Sequence, residues 1–114
     1  MDMDVFRQEG INYQSGIHRF GGSQQIYEKY LKKYPMDPTY SELGRALEEN
    51  NYEEAFRYAH TLKGIVGNLA FDDLYGALLP LVEALRRNEL DELDSMFEAV
   101  KKEQIRVCRA LTQI

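Results

Sequence analysis

Few side chains in this sequence could form or break a covalent bond. The imidazoles of His18 and His60, the thiol of Cys108 and a small set of hydroxyls make up the nucleophile inventory. A single cysteine excludes an intramolecular disulfide, and one cysteine with two histidines cannot build a closed zinc site. The chemistry within reach is nucleophilic attack by one of the two imidazoles, so the question is which of them the fold turns outward and what surrounds it.

The rest of the composition narrows what such a histidine could serve. A chain of 114 residues is one domain and buries roughly 65% of its unfolded surface, enough for one core but not for a nucleotide-binding domain beside a substrate domain. Lys and Arg number 14 against 19 Asp and Glu, a net charge of −5. That balance leaves no electrostatic footprint for nucleic acid and disfavours an anionic membrane surface. The longest apolar run, Ala77 to Val82, is broken by Pro80 and far too short to span a bilayer. The start, Met1-Asp2-Met3-Asp4, lacks the basic and apolar regions of a signal peptide. A cytoplasmic, monomeric, globular chain is the expectation, with 44% hydrophobic and 29% charged residues.

Helix is favoured over strand, because Val, Ile and Thr total only 14 residues and no stretch alternates with period two. The first 22 residues are the least informative. A short helix over 12–20 ends at Gly21-Gly22, and Ser23 caps a second over 23–34 with Ile26, Tyr27, Tyr30, Leu31 and Tyr34 at helical spacing. Asp37 caps a helix over 38–50 with Pro38 at its first position and Tyr40, Leu43 and Leu47 as its stripe. Asn51 and Glu54 form a variant capping box for a helix over 52–69. Asp72 and Asp73 open a helix over 72–88, with Leu74, Leu78, Leu81 and Leu85 inward. Pro80 should kink this helix without splitting it, since the carbonyl its ring crowds belongs to Gly76. Asp91 caps the last helix, 91–112, with Leu93, Phe97, Val100, Val107 and Leu111 inward and Cys108 as a small buried hydrophobe near that stripe. Short loops make neighbours antiparallel, so the fold class is all-α: an up-down four-helix bundle with short N-terminal helices.

The helix over 52–69 separates the histidines. On a helical wheel, Ala55, Tyr58, Leu62, Ile65 and Leu69 gather on the core side with Ala59 and Val66 flanking, and His60 lies about 160–180° from Leu62 and Leu69. Three features mark its face. Gly64 and Gly67 each cost roughly 1 kcal/mol relative to Ala inside a helix and leave a clearing over the imidazole for another protein. Arg57 and Lys63, one turn either side, could neutralise a group of charge about −2. Phe56, apolar on a polar face, can seed a docking patch, or can simply pack under the N-terminal segment. His18 has no comparable setting and reads as structural or incidental. A di-iron bundle is disfavoured, since neither histidine follows a Glu-x-x spacing.

The run Ala59-His60-Thr61-Leu62-Lys63-Gly64 resembles the signature of histidine phosphotransfer (HPt) domains, and Ile65-Val66-Gly67-Asn68-Leu69 resembles its continuation. Upstream, Gly16 through Gly22, with Ile26-Tyr27 and Leu31, is similar to that family's N-terminal region, so the likeness spans nearly the whole chain. Gly67 stands where Ser or Ala is common, and Pro80 is unusual within its helix. The resemblance implies that residues 1–114 form a single phosphotransfer domain and a four-helix bundle. It implies His60 as the phosphorylated nucleophile, Lys63 as the phosphate-facing cation and Gly64 as the clearing residue, with Phe56, Arg57 and Gly67 in the docking surface. The implied function is a phosphorelay carrier, not an autonomous kinase, which takes a phosphoryl group from a receiver aspartate and passes it to another. Partners would be response-regulator receiver domains or a hybrid sensor kinase. No cofactor or metal would be resident, Mg²⁺ being held by the receiver. Two other readings are a docking module that is never phosphorylated and a purely structural oligomerisation bundle.

Overall fold

The computed structural model describes residues 3–114, and the acidic start at Met1 and Asp2 lies outside them. The described residues form seven α-helices: α1 Met3–Gln8, α2 Tyr13–Arg19, α3 Gln24–Lys33, α4 Thr39–Glu48, α5 Tyr52–Asn68, α6 Asp72–Arg86 and α7 Leu93–Leu111. A 3₁₀ turn, Tyr34–Met36, follows α3. Among the described residues no helix is long and apolar enough to cross a membrane.

The helix ends follow from side chains that satisfy orphan backbone groups. Asn12 Oδ1 accepts the Ser15 N–H, Ser23 Oγ the Ile26 N–H, Asp37 Oδ1 the Thr39 N–H and Asn51 Oδ1 the Glu54 N–H. The Asn51–Glu54 box closes through side chains, Asn51 Nδ2 donating to Glu54 Oε2 at 3.1 Å, because the Asn51 N–H is taken by the Ala46 carbonyl. The expected Asp91 cap is not formed: α7 starts at Leu93, and Glu92 occupies the cap position with no side-chain bond. At the other ends one device recurs. Asn50, Ala70 and Asn88 have φ of 55°, 62° and 57°, and the next N–H reaches back to the carbonyls of Ala46, Val66 and Ala84 respectively. Gly21 and Gly22, at φ 69° and 84°, close α2 the same way, with the Gly22 N–H on the Ile17 carbonyl.

Helices α4 to α7 pack in chain order, α4 on α5, α5 on α6 and α6 on α7. The circuit closes where the Tyr40 ring of α4 stacks on Phe97 of α7, centroids 5.6 Å apart. Two contacts fix the register of α5 against α6: Gly67 faces the Tyr75 ring, and Phe56 lies beneath the Arg86 guanidinium. Both pairs share the same sum of residue numbers, as antiparallel helices require. Helix α6 runs through Pro80 as one element, with Pro80 and Gly76 both exposed.

The core holds Leu43, Ala46, Ala55, Ala59, Leu62, Val66, Leu74, Leu78, Leu81, Val100 and Val107, all buried. The buried seam of α5 is turned toward the expected flank, since Ala59 and Val66 are buried whereas Tyr58 and Ile65 are half-buried. Small residues on that flank let α4 and α6 approach, which moves the seam away from the larger pair. Tyr40, Leu47 and Phe97 are likewise half-buried, and Ile26 and Tyr30 of α3 are exposed. Cys108 is half-buried, and burial pushes its thiol pKa up.

The first 22 residues are the least legible part of the sequence. Helix α1, not expected, buries Phe6 against Tyr13 with centroids 5.7 Å apart. The segment is tied to the α5–α6 turn: the Asn12 N–H donates to the Ala70 carbonyl at 2.8 Å, and Ile11 makes an isolated bridge with Phe71. Tyr27 is fully buried, and its hydroxyl donates to the Leu69 carbonyl at 2.7 Å. Its ring lies where a Cβ on Gly16 would sit. Gly16→Ala should therefore destabilise the fold by about 1–3 kcal/mol through overpacking. Gly76→Ala, whose Cβ would meet nothing within 4 Å, should stabilise it by up to about 1 kcal/mol. Thermal and urea denaturation of the two variants read these opposite signs.

Candidate functional site

Helix α5 exists because its apolar residues recur on one side. The same periodicity puts His60 opposite the core, where it is exposed. Side chains on a helix lean toward its N-terminus. The His60 ring accordingly meets Phe56, one turn earlier, with centroids 5.9 Å apart and planes tilted at 43°. Phe56 is half-buried against the core, and the Arg86 guanidinium of α6 sits over its ring at 5.8 Å. It therefore backs the imidazole instead of packing under the N-terminal segment, which lies at the other end of α5.

The two glycines differ. A Cβ on Gly64 would meet nothing within 4 Å, so the space one turn beyond His60 is open. A Cβ on Gly67 would lie 3.3 Å from the Tyr75 ring, so the missing side chain there admits α6 and leaves no second clearing.

The two cations differ as well. Arg57 is 68% exposed and turns to Glu54 at 3.5 Å, stacking over Tyr58 at 5.7 Å. Glu54 also faces Arg45, so Arg57 ends a surface chain of charges. Lys63 is half-buried and makes no ion pair among the described residues. Of the two cations that flank His60 on α5, it is the one without an ion-pair partner among those residues.

Lys63 and Gly64 open onto a recess of about 310 Å³. Its α5 side continues through Gly67 and Asn68, and its far walls are Asp72 and Tyr75 of α6 and Arg19 of α2. Leu79, 43% exposed, falls level with Lys63 in the α5–α6 register and extends the apolar edge begun by Tyr75. The sequence carried a sign of this edge, since Tyr75 and Leu79 are an apolar pair four residues apart off the core stripe. It carried none for Arg19, which only the docking of α2 brings to α5. His18, next to Arg19, is exposed and has no part in the recess.

Residues 35–112 match the family model described as Hpt domain. The match covers more than half of the chain and all four bundle helices, and the chain belongs to that family. The family's role is histidine phosphotransfer in phosphorelays, and its members are phosphocarriers that work with receiver domains and kinases. The match begins at Pro35, so the N-terminal likeness over Gly16–Leu31 lies outside it. No curated protein and no solved structure matches the chain.

The open space at Gly64 predicts that Gly64→Ala raises stability by about 0.5–1 kcal/mol, the ordinary gain for a helix interior. Gly67→Ala should gain less, because the Tyr75 ring has to give way. Parallel thermal melts check the order.

Proposed function

We propose that His60 is the phosphorylated residue and that the chain, acting as one unit in the cytoplasm, relays a phosphoryl group between receiver aspartates. The observation that carries this reading is the pairing of an exposed imidazole with a Lys63 that makes no ion pair among the described residues and the open space at Gly64, within a chain of this family.

In the step we propose, the lone pair of His60 Nε2 attacks the phosphorus of an aspartyl phosphate in line with the departing carboxylate oxygen. The N–P bond forms as the P–O bond breaks, and the aspartate leaves as a carboxylate. Transfer to a second receiver is the reverse, with that carboxylate as nucleophile. Such transfer depends on positioning and charge neutralisation more than on covalent help from the protein. Phe56 limits the tilt of the imidazole, Lys63 faces the added charge, and the Gly64 opening lets the receiver approach. Mg²⁺ belongs to the receiver's side of the interface, and no cofactor is resident on this chain. Arg57, Gly67 and the apolar edge of α6 complete the docking surface of a monomer.

Incubation with a receiver charged with radiolabelled phosphate should give acid-labile, alkali-stable label on the wild type and none on His60→Gln. Label that persists in that variant sinks the assignment, while binding without label favours a docking module. Gly64→Gln should keep the helix content and slow transfer, and an unchanged rate would make the glycine merely structural. Lys63→Ala should shorten phosphohistidine lifetime or slow transfer by about fivefold, the scale of a partly exposed ion pair.

A further inference from the structure

An aspartyl phosphate is an anion, and the Mg²⁺ beside it is bound through carboxylates of the receiver, so the partner edge presented to His60 carries anionic groups. This chain is itself acidic, at −5, and its overall field opposes such an encounter. Attraction must come from cations placed locally beside the imidazole. Of the cations around the site, Arg57 is occupied by Glu54, and Arg86 by Glu83 and the Phe56 ring. Lys63 is free of ion pairs among the described residues, and one further cation shares its recess.

That cation is Arg19. It lies in the last turn of α2 and is exposed. Its Nε donates to Ser15 Oγ at 3.4 Å, a weak local contact, and it makes no ion pair among the described residues. Asp72, the acid in the recess, is not within ion-pair distance of it. Its position is nonetheless firmly set. Helix α2 is held by the Asn12 N–H on the Ala70 carbonyl, by the seat of Gly16 on the Tyr27 ring, and by the Tyr27 hydroxyl on the Leu69 carbonyl. All three anchors fall at the C-terminal end of α5, the end on which the recess opens.

We infer that Arg19 is a docking cation for the acidic face of the receiver, delivered to the site by the N-terminal segment and acting with Lys63 across the Gly64 opening. The inference rests on the phosphocarrier reading. The imidazole leans toward Phe56, away from the recess. Arg19 therefore acts on the incoming protein, whereas Lys63, one turn from His60, also faces the phosphoryl group. Arg19 sets how readily a receiver binds and leaves the stability of the phosphohistidine to others. Charges at an interface rim act on association and its salt dependence.

The test uses the full chain and isolated receiver domains from the source organism, charged on their aspartates with radiolabelled acetyl phosphate. Transfer is measured against receiver concentration at low and moderate salt, at a temperature where circular dichroism shows each variant folded. Arg19→Ala should raise the half-saturating receiver concentration about threefold to fivefold at low salt, the scale of one exposed charge pair. The difference should shrink as salt rises. Most of the saturating rate should remain, and the phosphohistidine half-life should not change. Arg19→Lys should restore most of the affinity, and Arg19→Glu should weaken it beyond Arg19→Ala. An unchanged half-saturation in Arg19→Ala, or a defect that ignores both salt and the sign of the charge, overturns the inference. If the wild type itself takes no label, the phosphocarrier reading falls first. If the wild type is labelled and the Arg19 variants match it, only the role of Arg19 falls.

Discussion

The turn from Leu69 to Phe71 carries more of this molecule than its length suggests. A helix end leaves carbonyls without partners, and a buried carbonyl without a partner costs about as much as a lost hydrogen bond. Here the carbonyls of Leu69 and Ala70 are taken by the Tyr27 hydroxyl and the Asn12 N–H. Phe71 is fully buried, bridged to Ile11 and met edge-on by the Tyr34 ring at 5.1 Å. Helices α2 and α3 are thus hung on the end of α5. The connection reverses on Ala70, a residue with a Cβ held in the left-handed region, and the surrounding bonds hold it there.

That attachment explains why the site is two-sided. Bundle packing alone would put His60 on an outer face flanked by its own helix. The α5–α6 register adds Tyr75, Leu79 and Arg86 along one edge, and the N-terminal attachment adds Arg19 at the end. Glu54 and Arg57, on the outer side of the first half of α5, are engaged locally, since Arg45 engages Glu42, Glu49 and Glu54, and Glu54 takes Arg57. The cations near the histidine that make no ion pair among the described residues, Lys63 and Arg19, are those that meet at the recess. A second hub, Arg106 of α7, reaches Glu9, Asp73 and Glu103 and donates to the Gln8 carbonyl, holding α1 to the bundle away from the site.

Individual residues show where sequence reading stopped. Capping by Ser23 and Asn51 was legible because each acts on its own chain three residues ahead, whereas Pro38, expected at the first helical position, takes the cap position of α4, and Asp37 bonds the Thr39 N–H from one residue earlier. Asp91 has the right chemistry for a cap, yet the chain enters α7 two residues later. Ile26 and Tyr30 have helical spacing and still face outward, because α3 buries only the side that carries Tyr27 and Leu31. Gly67 shows the same limit. By sequence its missing side chain offers room for a partner, and the space is filled by Tyr75 from a helix whose register no local pattern specifies.

Periodicity and local chemistry, then, settled the all-α class, the four bundle helices, the outward placement of His60 and the presence of Lys63 one turn away. These depend on spacings of three and four residues, which a helix converts directly into geometry. The tertiary structure alone decided which glycine stays open, which cation stays free and which distant residues join the site. Those outcomes depend on contacts between elements far apart in the chain. Arg19 and Lys63 are separated by more than forty positions, and nothing between them in the sequence says that they line one recess.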